Sequence, residues 1–277
     1  MKDLILNEIV RFVKEHKGNI LDGEWPFYET PFIGFAAYKD SVFEDYKNII
    51  GPEHFTPQEI FEQTFEKGIQ DGTVISIVLP LGKRVRDSNG KMKSNPSREW
   101  ALSREFSDEL MEDLALHMEK FIADIGHKAV FPMFSPHYKK IDTPKGTITT
   151  WSERHIAYVA GLGTFSLNDG FITEQGIAVR LTSMVTDLVL EPNERTADTY
   201  CGNCLFLKKG TCGACIKRCP AGALSEKGHD KTKCKAFVYG DESKRLAGVY
   251  GIQKVIGSGC GLCQTSVPCE SKNPVKR

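Results

Sequence analysis

The distribution of cysteine constrains this chain more than any other feature of its sequence. All nine cysteines lie after residue 200 of the 277, and the first 200 residues contain none. Thiols concentrated in one segment indicate a cross-linked or metal-binding unit attached to a larger globular part. The nine are Cys201, Cys204, Cys212, Cys215, Cys219, Cys234, Cys260, Cys263 and Cys269.

Three kinds of unit would explain this segment. A disulfide framework needs an oxidising compartment and is typical of small secreted domains. The amino terminus, MKDLILNEIVRFVKEHKGN, shows helical spacing of apolar residues interrupted by charge, not a secretory or twin-arginine signal. No run reaches the roughly 18 apolar residues of a membrane span, so we expect a cytoplasmic protein without membrane contact. Four-thiolate zinc sites and iron–sulfur clusters are the two remaining explanations.

The spacing around Cys212 favours iron–sulfur clusters. Cys212-x2-Cys215-x3-Cys219-Pro220 matches the end of the bacterial ferredoxin pattern, in which the cysteine before proline binds the second of two clusters. The remaining cysteines are sufficient for two sets of four ligands. We expect one [4Fe–4S] cluster on Cys204 or Cys201 with Cys212, Cys215 and Cys269, and another on Cys219, Cys234, Cys260 and Cys263.

Two departures from the ferredoxin pattern leave one ligand open. Lys209 stands three positions before Cys212, where the pattern has a cysteine, and the loop LFLKKGT separates Cys212 from Cys201 and Cys204. Cys269 follows proline instead of preceding it. We therefore expect one of Cys201 and Cys204 to be a ligand and the other to be spare.

Charge divides the chain at the same place as cysteine. Residues 201–277 contain 14 Lys plus Arg and 5 Asp plus Glu, a net charge of +9, whereas residues 1–200 contain 22 and 31, a net charge of −9. A basic segment of this kind either offsets anionic clusters or contacts an acidic redox partner or a phosphate backbone. The sequence leaves these explanations open.

The first 195 residues are predicted to form an α/β domain that binds a cofactor and a substrate, and residues 196–277 the cluster domain. The polar stretch 191–198 separates them. Apolar periodicity predicts a mixture of helices and strands in the first domain. The predicted helices cover 2–16 and 103–126, with Gly126 as a stop, and the predicted strands cover 72–81 and 128–134; within 153–190 we predict a helix, a turn at Gly161 and Gly163, a short strand at 171–173 and a strand over 185–190.

Several short motifs follow one another along the chain. They are ISIVLPL, LSREF, the ER and AGLG elements of ERHIAYVAGLG, VTDL, CG…CPAGA, Cys234 and CGLC. In this order they resemble the epoxyqueuosine reductases and the related corrinoid-dependent reductive dehalogenases. The resemblance implies an α+β fold, with a nitroreductase-like cobalamin-binding domain followed by a bacterial-type two-cluster ferredoxin domain.

The function implied by the resemblance is that of an iron–sulfur oxidoreductase. Two [4Fe–4S] clusters would reduce base-off cobalamin, which would reduce an unidentified small molecule or modified nucleoside. An alternative is an electron-transfer protein that serves a partner, for example by reactivating a corrinoid protein. A minor alternative is epoxyqueuosine reduction on tRNA. The expected electron donor is a small ferredoxin- or flavodoxin-type protein, and nucleic acid is not the favoured partner.

Two differences from the epoxyqueuosine reductases disfavour the minor alternative. The proton-donating aspartate of that family corresponds to Thr147, six positions before Glu153, and a threonine hydroxyl does not supply a proton at neutral pH. The sequence also stops at Arg277 without the helical-repeat tail that contacts tRNA in that family. The missing export leader disfavours a respiratory dehalogenase.

Five candidate cofactor-binding residues come from the resemblance. Gly161, Leu162 and Gly163 would lie against the corrin, where glycine permits close backbone approach. Ser103 and Arg104 match the opening of the family's helix, and Arg104 would pair with a corrin propionamide or a substrate oxygen.

Further candidates follow from their residue types near these motifs. His137 and Tyr138, in the loop FSPHYKK, and His155 are candidate proton donors. Trp151 and Arg154 are candidate cofactor contacts. Each has an ordinary alternative: a surface loop for His137 and Tyr138, a buried hydrogen-bonded ring for His155, core packing for Trp151 and a local salt bridge for Arg154.

Overall fold

A computed structural model describes residues 1–143, 146–195, 197, 199–253 and 256–276. Three short 3₁₀ helices cover Lys17–Asn19, Pro132–Phe134 and Leu262–Gln264. The α-helices in the described residues are α1 (Lys2–Glu15), α2 (Val42–Ile49), α3 (Pro57–Phe65), α4 (Lys83–Gly90), α5 (Arg98–Asp124), α6 (Glu153–Val159), α7 (Leu205–Lys209), α8 (Ala214–Arg218), α9 (Lys231–Val238) and α10 (Asp241–Tyr250). The strands are β1 (Ile20–Leu21), β2 (Trp25–Pro26), β3 (Phe32–Ala37), β4 (Thr73–Pro80), β5 (Ala129–Val130), β6 (Lys140–Thr143), β7 (Gly146–Thr149), β8 (Gly163–Phe165), β9 (Phe171–Thr173), β10 (Val179–Thr186), β11 (Leu224–Ser225) and β12 (Gly228–His229).

A four-stranded antiparallel sheet, in the order β3-β4-β10-β5, forms the centre of the first part. Every residue of β4 is buried, because the strand lies between β3 and β10 and both of its faces are covered. Successive side chains of a strand point to opposite faces. Ile75 and Ile77 therefore pack with α1 and α5, and Val74 and Val78 pack with α6.

The long helix α5 begins five residues before its predicted start at 103. The hydroxyl of Ser97 accepts a hydrogen bond from the backbone N–H of Trp100, which caps the helix. Ser103 lies inside the helix and donates its Oγ–H to the carbonyl of Trp100. The predicted end is close to the observed one, because Gly126 has a φ of +88° directly after the helix.

Other predicted elements agree with the structure to different degrees. The helix at the amino terminus, the strand over 72–81 and the short strand Phe171–Thr173 are present. The strand expected over 128–134 covers only Ala129–Val130, since Pro132 cannot donate a ladder hydrogen bond. The strand expected over 185–190 runs instead over Val179–Thr186 along β4.

The cysteine-rich part packs against the end of the first part through backbone hydrogen bonds. The N–H groups of Ile177 and Ala178 donate to the carbonyls of Cys269 and Glu270, and the N–H of Phe165 donates to the carbonyl of Tyr200. Residue 196, where we predicted the domain boundary, lies outside the described residues. Of the helices described, none is both long enough and apolar enough to span a membrane.

Candidate functional site

Four thiols line one small cavity, and we call them the first thiol group: Cys204, Cys212, Cys215 and Cys269. Burial, together with the neighbouring thiols of Cys204, Cys215 and Cys212, raises the pKa of Cys269 to about 12. The chain reaches this cavity through α7, which follows Cys204 directly, and α8, which contains Cys215.

Four other thiols form the second thiol group: Cys219, Cys234, Cys260 and Cys263. Burial raises the pKa of Cys263 strongly, and the adjacent thiols of Cys260 and Cys234 add to this effect. Cys215 of the first group also lies near enough to act on Cys263. The two thiol groups are therefore neighbours.

The structure separates Cys204 from Cys201. Cys204 is buried and lines the cavity of the first thiol group, whereas Cys201 lines the large cavity described below. The reason is the turn between them, in which the N–H of Cys204 donates to the carbonyl of Cys201 at 3.1 Å. Cys204 is thus the thiol that joins Cys212, Cys215 and Cys269.

The two thiol groups have the donor chemistry that iron–sulfur clusters require, with four thiolate ligands in each. Their membership is the same as in the two sets expected from the sequence, with Cys204 in the open position. Within the described ranges, no group of three or more His, Cys, Asp or Glu side chains is arranged to hold a single metal ion.

A large cavity of about 1030 Å³ extends from the second thiol group into the first part of the chain. Its volume lies near the upper end of the roughly 300–1000 Å³ typical of ligand sites. The β6–β7 hairpin, the start of α6, the β8–β9 turn and residues 226–238 surround it. Side chains that line it include Thr147, Ile148, Thr149, Ser152, Arg154, His155, Phe165, Asp169, Tyr200, Cys201, Leu207 and His229.

His155 is the predicted proton donor that the structure places at this cavity. Its Nδ1 and the Ser152 hydroxyl form a hydrogen bond of 2.8 Å, and its ring packs edge-on against Tyr46. Burial, with a smaller contribution from the positive charge of Arg154, lowers the pKa of His155 to about 3. The ring is therefore neutral at physiological pH, so it offers a hydrogen-bonding group rather than a stored proton.

A cluster of charged side chains around Asp169, which also lines the cavity, was not predicted from the sequence. His229 Nδ1 lies 3.1 Å from Asp169 Oδ2, Lys231 Nζ lies 3.7 Å from the same oxygen, and Arg154 donates to the Asp169 carbonyl. Asp169 has a φ of +58°, in the left-handed region. The only sequence signal was the Asn-Asp-Gly turn that contains Asp169.

Tyr200 is a second cavity residue that the sequence analysis missed. Its ring stacks on Tyr158 with centroids 4.1 Å apart, and burial raises its pKa. A phenol at the wall of a ligand site is a candidate hydrogen-bond or proton donor. No motif in the sequence marks it, because it follows the polar stretch that separates the two parts.

The other two predicted proton donors are not among the residues that line the cavity. The carbonyl of His137 accepts a hydrogen bond from Thr150 Oγ1, and Tyr138 packs on the core beside α6. Thr147, in contrast, lines the cavity, and its hydroxyl donates to Asp142 Oδ1 at 2.6 Å. Catalytic roles for His137 and Tyr138 stay predictions.

The predicted cofactor contacts at α5 and before α6 have packing roles in the structure. Arg104 donates to the Tyr239 hydroxyl at 3.0 Å and to the Gly257 carbonyl, so it joins α5 to the cysteine-rich part. Ser103 is buried within α5. Trp151 is buried, stacks on His54 and donates its Nε1–H to Ser183 Oγ, which in turn donates to Glu153.

The AGLG turn also packs against protein. A Cβ at Gly161 would overlap the Glu194 carbonyl, and one at Gly163 would overlap the Ile172 carbonyl. Leu162 is buried beside Gly34. Glycine is needed here for close approach between backbone segments, and contact of these three residues with a corrin stays a prediction.

The sequence and the structure of the chain were compared with those of known proteins. No family model matches the chain. Over 121 residues, 42% of this chain, it is 33% identical to an epoxyqueuosine reductase of Bacillus anthracis, and the match covers 29% of that protein. A solved epoxyqueuosine reductase from Bacillus subtilis matches with a TM-score of 0.48 and 19% identity, over 98% of this chain and 66% of that one.

A catabolic reductive dehalogenase, solved in complex with 3-bromo-4-hydroxybenzoic acid, matches over 99% of this chain and 37% of its own. The TM-score is 0.51 and the identity 12%. This likeness confirms the predicted α+β fold, and the comparisons together confirm the predicted resemblance. The chain spans less than a third of the length of its curated relative and at most about two thirds of these solved structures.

Proposed function

We propose that this chain is an iron–sulfur oxidoreductase that uses cobalamin to reduce a substrate in the large cavity. The observation that carries the proposal is that the second thiol group and the side chains of His155, Tyr200 and Arg154 line one cavity. An electron source and groups able to move protons therefore border the same space, as a reductase requires.

The residues around the cavity fit a large, mixed ligand such as cobalamin. Ile148 and Phe165 offer apolar surface, while Thr149, Ser152 and Arg154 offer hydrogen-bonding groups to amide side chains. When bound, reduced cobalamin would supply a strong nucleophile and electron donor. The first thiol group would hold a [4Fe–4S] cluster away from this space, and the second would hold one at its wall.

Two protein groups have the positions and protonation that such a reduction needs. Neutral His155, held by the Ser152 hydroxyl, would orient the substrate or relay a proton into the cavity. The Tyr200 phenol, whose raised pKa keeps it protonated, would donate a hydrogen bond or a proton.

Epoxyqueuosine in tRNA is a second candidate substrate, and the sequence identity to the Bacillus anthracis epoxyqueuosine reductase favours it. Thr147 at the cavity wall does not itself supply the proton that an aspartate would, so a different donor such as Tyr200 is expected. Reduction of an epoxyqueuosine-modified stem loop tests this candidate directly. If the chain reduces this stem loop but not small organohalides, epoxyqueuosine in tRNA is its substrate.

The test of the proposal is anaerobic reconstitution, with iron counted per chain and EPR spectra recorded with and without cobalamin. We expect about eight irons, as two four-iron clusters require, and a cobalt signal perturbed by the protein. An unperturbed cobalt signal with the same iron content would show that the chain is an electron carrier for a partner, and bound zinc would contradict both.

A pair of cysteine variants tests which of Cys204 and Cys201 binds iron. Cys204→Ser should lose about half of the iron, since each cluster holds four atoms, whereas the matched Cys201→Ser should keep all of it. The reason is that Cys204 faces the first thiol group and Cys201 faces the large cavity. The reverse result would exchange the two assignments.

A further inference from the structure

We infer that the surface around the first thiol group is the docking site for an acidic one-electron carrier of the flavodoxin or ferredoxin type. This inference rests on the proposed function. The surface consists of four exposed lysines, which we call the lysine face: Lys208, Lys209, Lys217 and Lys272.

The position of the first thiol group makes it the entry point for electrons. The second thiol group lines the large cavity, so its open side faces the substrate. The first group lies in a separate cavity, and α8, which contains Cys215, packs against the 3₁₀ helix Leu262–Gln264, which contains Cys263 of the second group. Electrons that enter from outside would therefore pass from the first group to the second and then to the cavity.

The lysine face follows closely along the chain from the first thiol group. Leu205 and Phe206 of α7 line the cavity of that group, and Lys208 and Lys209 follow them on the exposed end of the same helix. Lys217 lies on α8, two residues after Cys215, and Lys272 lies three residues after Cys269. The loop LFLKKGT, which interrupts the ferredoxin spacing, thus places two charges beside the thiols.

These four lysines carry positive charge that no carboxylate offsets in an ion pair among the described residues. None of the four forms an ion pair in the part of the chain that the structure describes, and residues 199–225 contain no Asp or Glu. Six other cations of the cysteine-rich part do pair with carboxylates: Lys231, Lys233, Lys235, Lys244, Arg245 and Lys276.

An uncompensated basic surface beside a redox site attracts an acidic partner. Long-range attraction raises association rates by roughly 10- to 1000-fold at low salt. Flavodoxin-type carriers would use this attraction to bring their redox group near the first thiol group, where one electron leaves the carrier and reduces one cluster. The carrier is oxidised by one electron and the chain is reduced by one.

The test compares two triple variants of the reconstituted chain with equal changes in net charge. One is Lys208→Glu, Lys209→Glu and Lys217→Glu. The matched control changes Lys14, Lys39 and Lys67 to Glu, which are exposed residues of the first part. The probe is photoreduced flavodoxin in stopped-flow measurements, and the dissociation constant of oxidised flavodoxin is measured by calorimetry.

We expect the lysine-face variant to slow reduction by flavodoxin and to weaken its binding by about tenfold or more at low salt, with a smaller difference in 0.5 M salt. The control variant should behave like the unmodified chain. Both variants should be reduced normally by dithionite, a small reductant that needs no docking surface.

Three outcomes would contradict the inference. Equal effects of the two triple variants would show a response to net charge alone. Unchanged flavodoxin kinetics together with lost binding of an RNA stem loop would make the lysine face a nucleic-acid surface. Failure of dithionite to reduce the unmodified chain, or absence of iron, would overturn the proposed function itself.

Discussion

Glu153 is the buried acid whose environment departs most from that of an ordinary surface carboxyl. It begins α6, accepts a hydrogen bond of 2.6 Å from Ser183 Oγ, and its other oxygen has no hydrogen-bond partner among the described residues. Burial raises the pKa of Glu153 to about 8. The side chain is therefore mainly protonated at neutral pH, so the buried network with Trp151 carries no net charge.

This raised pKa predicts a pH-dependent stability. The folded pKa lies above the unfolded value of about 4.3, so the contribution of Glu153 is complete below that value and is lost as the pH rises through about 8. In Glu153→Gln the amide stays neutral. The difference in free energy of unfolding, variant minus unmodified chain, should therefore increase by roughly 1.4 kcal/mol per pH unit between pH 5 and 8.

The measurement for Glu153→Gln is the thermal midpoint of the reconstituted protein at pH 6 and at pH 8.5. The exposed Glu24→Gln is the control, and its difference from the unmodified chain should be the same at both values. A difference for Glu153→Gln that does not change with pH would show that this carboxyl is ionised in the folded protein.

At the scale of elements, one glycine fixes how the second thiol group packs on α5. Gly261, between Cys260 and Cys263, has a φ of +69°, and a Cβ there would overlap the indole ring of Trp100. Trp100 is itself held at the start of α5 by the Ser97 cap. The turn that carries two thiols is thus positioned by a helix of the first part.

Gly261→Ala should therefore release the second thiol group. We expect a loss of about half the iron, the content of one four-iron cluster, together with a lower thermal midpoint. Gly222→Ala is the matched control, since Gly222 also has a positive φ but open space around it. It should keep its iron and lose about 1–2 kcal/mol of stability from backbone strain alone.

A second-site variant tests the cause of the iron loss. Trp100→Phe removes the ring atoms that a Cβ at residue 261 would meet. Adding it to Gly261→Ala should restore part of the iron. If the double variant binds no more iron than Gly261→Ala, the backbone conformation rather than the Trp100 contact explains the defect.

At the scale of the whole molecule, Arg218 joins the two parts of the chain. Its guanidinium donates to the carbonyls of Met92 and Asn89 in the first part and to those of Leu262 and Thr265 in the cysteine-rich part. The planar guanidinium, with five donors in a fixed arrangement, suits such a cluster of acceptors. Both thiol groups depend on the segments that it connects.

Arg218→Met should uncouple the two parts. Hydrogen bonds from charged donors contribute about 1.5–3 kcal/mol each, and the variant loses several of them. We therefore expect calorimetry to show a separate unfolding transition at lower temperature. Arg245→Met is the control, because Arg245 is exposed and pairs only with Glu242 on its own helix. A single transition with an unchanged midpoint would mean that other contacts hold the parts together.

Much of the fold and the grouping of the thiols could be predicted because they depend on local sequence. The helix α1, the buried strand β4 and the short strand β9 follow from apolar periodicity. The two sets of thiols follow from spacing, since ligands two or three residues apart lie on one turn. The errors at α5 and β5 came from a cap at Ser97 and from Pro132, both of which are local signals that were visible in the chain.

The candidate site could be predicted only in part. His155 was identified from its place before the glycine turn, and the structure does place it at the cavity. Tyr200, Asp169 and His229 were not identified, because they reach the cavity from segments far apart in sequence. A local sequence pattern does not predict which side chains from a distant segment will line the same cavity.

The sequence by itself predicted two sets of four thiols suited to iron–sulfur clusters, with one position open between Cys201 and Cys204, because the spacing of ligands is a property of the chain. Only the tertiary structure places Cys204 in the first thiol group and Cys201 at the large cavity, and only it places Trp151 in the core and His155 at the cavity. The physical reason is that these choices depend on the direction of a side chain after distant segments pack, and that direction is set by burial and hydrogen bonding across the whole molecule.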